Sequence, residues 1–491
     1  MRRLRDDLTA AEYGADQVVA AIGGAGQSGL GRNHTVAAQR ALAGREDPLA
    51  TLIRLFVLQQ WQPASAVRRV VAAEELADLG ILARDKDGFR AAVDVRPFAD
   101  ETDQTAGWVV SDHVASLDTR SYQPAPDHVL GVSPASLSLT QITPHRPVGT
   151  ALDLGTGSGI QSLHLARHAR QVVATDVNPR ALTLATLTFA LNDAEVQTRS
   201  GSLYEPVRDE VFDLIVTNPP FVIAPHTDQR LVYRETEFSS DGLMAAVVSG
   251  AGPRLAPGGS LHVVGNWAHV ESVPWPDRLA RWVPTGCDAV IIQRELLDVY
   301  EYIEVWLADA GLAGRPDYKQ RYEQWLAYFA DLKIEAVGLG WIVMVNSGSA
   351  TPRVRCEQWP HPVSQPVAAD LMAHLAAMDD VSWSDDHILG QTWQLATGAV
   401  QETTGRPGQP DPEHVVLRRT DGLRRAIEVD SSLGGVLGAC DGELPLGRII
   451  WAVAELLGAD PAALQAEVMP RIRDLIAQTW LTPVDQSSRA D

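Results

Sequence analysis

The chain has 491 residues, 45% of them hydrophobic and 21% charged, with a formal charge of −21. This composition excludes a wholly disordered or fibrous chain, and the length predicts about three domains. The negative field disfavours extended binding along duplex nucleic acid. Residues 1–150, with 15 Lys+Arg against 18 Asp+Glu, are the least hostile part to such a ligand. Plain solubility accounts for the charge as well. No apolar run nears the roughly 20 residues of a membrane helix. Asp6 and Asp7 stand where a signal peptide needs its apolar stretch, so export is not expected. Cys287, Cys356 and Cys440 are too far apart for a disulfide framework or a metal-ligand spacing, and point to a reducing cytoplasm.

Residues 1–125 read mainly as helix. Leu49–Leu58 is an apolar helical segment. Ser65 is placed to cap a helix over Ala66–Leu79, which Gly80 stops. Ile81–Arg84 and Gly88–Val95 then read as two strands around the turn Asp85-Lys86-Asp87-Gly88. Helix, helix and hairpin make a winged-helix-like outline. Such units bind nucleic acid or present partners, and the weak charge tips the reading toward protein contact or substrate positioning.

Residues 126–350 alternate strand and helix. The predicted strands are Thr150–Leu154, Val172–Thr175, Val196–Ser200, Phe212–Thr217, Ser260–Val264, Ala289–Gln293 and Trp341–Val345. Helices are predicted over Ile160–Ala169 and Pro179–Leu191. The alternation predicts an α/β domain with a mostly parallel sheet covered on both faces. Tyr300–Leu332 reads as an inserted helix pair rich in Tyr and Trp. Residues 351–491 form an accessory region, helical or winged-helix-like, with a polar linker over 401–412 and a turn at Asp441-Gly442.

Asp153-Leu154-Gly155-Thr156-Gly157-Ser158-Gly159 follows a strand and precedes a helix. Glycines there permit φ > 0 and close approach of backbone to a ligand. Asp176 closes the next strand, where a carboxylate can accept two ribose hydroxyls. The spacing is G-x-G-x-G and not the dinucleotide G-x-G-x-x-G. These residues resemble the class I S-adenosylmethionine-dependent methyltransferases. The resemblance implies a Rossmann-like core with a seven-stranded sheet and S-adenosylmethionine as cofactor, with no metal. It assigns the methionyl part to Asp153, Gly155, Thr156, Gly157 and Gly159, the ribose to Asp176 with Val177 beside it, and the adenine border to Ser202 and Leu203 after Gly201. Gly131–Leu137 looks like a glycine-containing segment that some of these enzymes place against the cofactor; a plain loop reads equally well.

Thr217-Asn218-Pro219-Pro220-Phe221 ends a predicted strand, where two prolines remove ladder donors. Either the motif is a rigid turn or it serves a ligand, and its place beyond the carboxyl ends of the strands favours the ligand. An amide or exocyclic amine nitrogen is a weak nucleophile because its lone pair is delocalised. Two acceptors aimed at its N–H bonds, here the Asn218 side chain and the Pro219 carbonyl, would hold it and favour pyramidalisation. Pro219 and Pro220 stiffen the loop, and Phe221 offers a face for stacking. Asn-Pro-Pro-[Phe/Tyr] resembles the amino-methyltransferase branch, which includes release-factor glutamine, adenine-N6 and ribosomal-RNA guanine-N2 methyltransferases. Asn218, Pro219, Pro220 and Phe221 are thus the expected catalytic residues, with Asn218 also beside the cofactor.

The resemblance covers about residues 128–345. It implies a protein partner such as a release factor, or RNA, as substrate. A small-molecule or peptide methyltransferase, and a non-enzymatic regulator with a vestigial core, are the alternatives. Smaller candidates are His226 as a base, Tyr233-Arg234-Glu235 and Asp241-Gly242 as a substrate-gripping segment or a solvated loop, and Trp306, Tyr318, Tyr322, Trp325 and Tyr328 as a lid or as packing.

Overall fold

The computed structural model describes residues 1–100, 104–113, 117–119, 125–225, 238–406 and 413–484. The chain forms two compact units. One contains Met1–Cys287, Ile291–Pro352 and Cys356–Gln358; the other contains Asp288–Val290, Arg353–Arg355 and Trp359–Asp491.

Most of a sheet of eight strands, one more than expected, belongs to the first unit. In spatial order these are Val354–Gln358, Cys287–Asp298, Ile334–Asn346, Leu255–Val270, Phe212–Thr217, Val148–Leu154, Ala169–Asp176 and Gln197–Ser200. The last five pair in parallel, with Leu152 opposite both Val173 and Ile215. Leu255–Val270 pairs antiparallel with Ile334–Asn346. Ala151, Leu152, Val172, Val173 and Leu214–Val216 are all buried, as expected of strands covered on both faces. The sequence placed seven of the eight strands and missed Val354–Gln358, and it placed the later ones as fragments. Leu255–Val270 and Ile334–Asn346 run well past the apolar stretches that marked them, because pairing carries a strand through polar positions such as Asn266 and His269.

Helix Ile160–Leu165 ends earlier than predicted. The His168 carbonyl instead accepts the Val148 N–H, and Ala169 already opens the next strand. The expected helix 66–79 is two short helices, Ala64–Arg68 and Ala73–Asp78, and Ser65 lies inside the first without capping it. The β-branched pair Val70-Val71 favours the break, which buries Val67 and Val71 together. The predicted strand Gly88–Val95 is likewise broken. Gly88–Ala91 pairs with Leu82–Arg84 and Gln62–Pro63, whereas Asp94–Asp100 pairs with Thr105–Ser111.

The N-terminal elements share their core with the sheet's helices and do not stand apart at residue 125. Leu4, Leu8, Leu52, Phe56 and Phe89 pack in one cluster with Ala181, Leu184 and Leu191 of helix Pro179–Asn192. The Asn192 side chain accepts the Trp108 N–H and donates to the Trp108 carbonyl, and Thr188 accepts the Val110 N–H.

The second unit packs helices Ser431–Gly438, Leu446–Leu457 and Pro461–Ala477 around buried Trp393 and Trp480. The expected linker begins as strand Ala399–Thr404, paired with His414–Arg419, and residues 407–412 lie outside the described residues. Asp441-Gly442 opens strand Asp441–Pro445. Among the described residues no helix is long and apolar enough to cross a membrane.

Candidate active site

Leu154, Asp176, Ser200 and Thr217 end neighbouring parallel strands at one edge of the sheet. The segments that follow converge on a cavity of about 380 Å³, within the usual range for small-molecule sites.

The glycine turn forms one wall. Gly155, Gly157 and Gly159 have φ of 75°, 56° and 87°, the left-handed region that side chains resist. A Cβ on Gly159 would also meet Phe189 at 2.6 Å. The N–H groups of Gly155 and Thr156 both donate to the Thr175 carbonyl, and the Gly157 N–H donates to Asp176 Oδ2 at 2.9 Å. Asp153 is 1% exposed and accepts the hydroxyls of Thr156 and Ser162, each at 2.7 Å. Burial pushes its carboxyl up to about 6 against those two hydrogen bonds. Asp153 therefore lines the cavity and braces the turn at the same time.

Asp176 sits opposite. Its Oδ1 accepts the Asn178 N–H and its Oδ2 the Gly157 N–H. Burial raises its pKa, and these N–H bonds hold the rise back. Each oxygen keeps a lone pair for a ligand. Val177 forms an exposed rim, and Ser202 and Leu203 line the cavity beside Gly201.

Asn218, Pro219 and Pro220 close the wall next to the glycine turn. Strand Phe212–Thr217 places them, and the Thr217 hydroxyl donates to the Leu154 carbonyl at 2.6 Å. The Asn218 Oδ1 is buried and has no hydrogen-bond partner among the described residues. An unsatisfied buried acceptor costs about 1–3 kcal/mol. Phe221 is not on this wall. Its ring meets Trp306 edge-to-face, at 6.1 Å and 75°.

Sequence reasoning missed His128, Val129, Leu130, Asn178, Phe238, Leu243 and Val247, all of which line the cavity. The 128–130 stretch is held by side chains far away in sequence. The Asp112 N–H donates to the Val129 carbonyl, and the Asp112 carboxylate accepts the Val129 N–H and pairs with Arg180. Burial would raise the Asp112 pKa, but the Arg180 and Val129 hydrogen bonds outweigh it and hold the carboxyl low. The Asn178 amide donates to the Asp127 carbonyl. No local pattern marks these residues. Ser133 and Ser136 of the Gly131–Leu137 segment do line the cavity, Ser133 as the cap of helix Pro134–Ile142.

His226 and Tyr233-Arg234-Glu235 lie outside the described residues. Asp241 is neither a gripping nor a solvated residue. It is 6% exposed, pairs with Arg278 through both oxygens and accepts the Ala268 N–H. Helices Val299–Asp309 and Tyr318–Asp331 bear the five aromatics, which pack into one cluster around Tyr302, Trp325 and Phe329.

Residues 131–273 match the family model of the methyltransferase small domain. Residues 10–92 and 370–483 match two domains of unknown function, DUF7059 and DUF7782. The chain is 36% identical over 165 residues to a release factor glutamine methyltransferase of Geobacter sulfurreducens, covering 30% of this chain and 55% of that protein. It is 35% identical over 129 residues to a ribosomal RNA small subunit methyltransferase C of Alcanivorax borkumensis, covering 26% of this chain and 35% of that protein. It thus spans about half, or less, of the length of these curated relatives. Among solved structures, a T. thermophilus 16S rRNA N2 G1207 methyltransferase aligns over 45% of this chain and 57% of its own, at 21% identity and a TM-score of 0.27.

Proposed function

We propose that this chain, whose residues 131–273 form a methyltransferase small domain of the class I S-adenosylmethionine-dependent type, is an enzyme that methylates a planar amide or amine nitrogen. The cavity fits the cofactor. Asp176 retains lone pairs for a ribose diol, Gly155–Gly159 leaves no Cβ in the way at its three glycines, and Leu203 and Val247 give an apolar flank for a base. Asp153, Thr156 and Ser158 complete the glycine wall, with Val177 and Ser202 at the rim.

When bound, S-adenosylmethionine supplies a methyl group on a positively charged sulfur, open to in-line attack by a nitrogen lone pair. The protein's part is to hold that nitrogen. Asn218 Oδ1 and the Pro219 carbonyl accept its N–H bonds and favour a pyramidal geometry, and the prolines keep both acceptors fixed. The observation that carries this reading is the Asn218 Oδ1, buried on the cavity wall without a partner among the described residues. A substrate N–H donated to this oxygen would relieve the cost of its burial.

The acceptor is a glutamine amide of a protein such as a release factor, or a base amine of RNA. The names of the relatives give ribosomal RNA and a release factor glutamine as the groups methylated by those proteins. This reading places the enzyme in the cytoplasm. The test is transfer of tritiated methyl from S-adenosylmethionine into a host-cell lysate, split by protease and nuclease. Label released by one of the two treatments identifies the acceptor. Label confined to small molecules contradicts this reading.

A further inference from the structure

We propose that Tyr302 and Tyr328 are positioning residues, which fix the segments carrying Asn218–Pro220 and Phe238 to the inserted helix pair. This rests on the methyltransferase reading above. The chain runs on from the lining residues Asn218–Pro220 to Ile223, which is fully buried. The Ile223 N–H donates to the Tyr302 hydroxyl at 2.9 Å, and the Asn266 amide donates to the same oxygen at 2.7 Å. Tyr302 is 0% exposed and belongs to helix Val299–Asp309. Phe238 also lines the cavity. Two residues on, the Ser240 N–H donates to the Tyr328 hydroxyl at 3.0 Å, and Tyr328 belongs to helix Tyr318–Asp331.

The two tyrosines share one rigid support. Phe329 packs against both, at 5.8 Å from the Tyr302 ring and 6.2 Å from the Tyr328 ring. Trp306, which meets Phe221, also packs against Tyr302 at 6.0 Å. Helices 299–309 and 318–331 therefore touch the chain at three points close in sequence to cavity-lining residues: Phe221, Ile223 and Ser240. All three belong to the segments carrying Asn218 and Phe238. None belongs to the glycine turn or to the strand end at Asp176. A hydroxyl that fixes a backbone N–H acts on catalysis through placement, since a displacement of about 1 Å can cost on the order of 10²-fold in rate. The inserted pair, read from sequence as a lid or as packing, thus sets the geometry in which the acceptor nitrogen meets Asn218.

Tyr302→Phe and Tyr328→Phe remove one oxygen each and leave the aromatic packing in place. The full-length variants are compared with the wild type by amide hydrogen exchange in the presence of S-adenosylhomocysteine, and by tritiated methyl transfer into the same host-cell lysate. The expected result for Tyr302→Phe is exchange about 3–10-fold faster at Ile223, the range of one lost hydrogen bond. Tyr328→Phe should do the same at Ser240. Exchange at Gly155–Gly159 and affinity for S-adenosylhomocysteine should stay unchanged, while transfer falls at least tenfold in the Tyr302 variant. Tyr328 is only partly buried, so its variant keeps the test open if Tyr302→Phe does not fold. Unchanged exchange at both sites overturns the clamp, and so does faster exchange with undiminished transfer. A wild type that transfers no methyl contradicts the proposed activity instead, and the exchange result then stands by itself.

Discussion

The Gly157 N–H donates to Asp176 Oδ2 at 2.9 Å, joining the glycine turn after one strand to the acidic end of the next. The carboxylate proposed to hold a ribose diol therefore also fixes the backbone of the glycine turn. Asp176→Ala should weaken S-adenosylmethionine binding by about 1–3 kcal/mol, the range for stranding polar partners. Calorimetry measures it, and unchanged affinity removes Asp176 from the site.

Gly159 combines a φ of 87° with a Cβ direction blocked by Phe189 at 2.6 Å. An alanine there carries about 1–2 kcal/mol of left-handed strain and about 1–3 kcal/mol of overpacking. Gly159→Ala should lower urea-unfolding stability by about 2–5 kcal/mol in whichever cooperative transition contains the first unit. A midpoint equal to that of the wild type would mean that the turn tolerates a side chain.

Asp153 titrates at about 6 in the folded chain against 3.8 ordinarily. A raised folded pKa means that its protonated form is favoured on folding. That contribution is complete below pH 3.8 and is lost as pH rises through about 6. Asp153→Asn removes this titration. Its stability relative to wild type should therefore climb between pH 4 and pH 7, by up to about 3 kcal/mol at 1.36 kcal/mol per pKa unit. Denaturation at several pH values checks this, and a flat difference contradicts it.

The parts of the site that the sequence made legible are those whose chemistry is local. Gly155–Gly159 and Asn218–Pro220 announce themselves because each needs unusual backbone at a strand end. Asp241 was misread because its partner Arg278 lies 37 residues away. Nothing in the local pattern distinguishes a buried charge pair from a solvated loop. The stretch His128–Leu130 is held by Asp112, itself paired with Arg180, and Phe238 lies two residues before Ser240, whose N–H Tyr328 accepts. In the N-terminal third, Leu49–Leu58 was legible as an apolar helix, whereas the break at Val70-Val71 depended on core packing. The boundary near residue 125 was drawn from texture. Ala181, Leu184 and Leu191 complete the N-terminal core, so a chain cut there would expose them.

The most direct test of the account is single-turnover methyl transfer by Asn218→Ala, with S-adenosylmethionine binding measured in parallel. Binding should be nearly unchanged, because the glycine turn and Asp176 do not depend on the Asn218 side chain for their hydrogen bonds. Turnover should fall about 10²–10³-fold, or roughly 3–4 kcal/mol, as when one pre-organised polar contact of a transition state is lost. Asn218→Asp, which keeps an acceptor oxygen, should retain more activity than alanine if the side chain acts only as an acceptor. Wild-type turnover in Asn218→Ala would mean that Asn-Pro-Pro-Phe is a structural turn here, and the amino-methyltransferase account would fall with it.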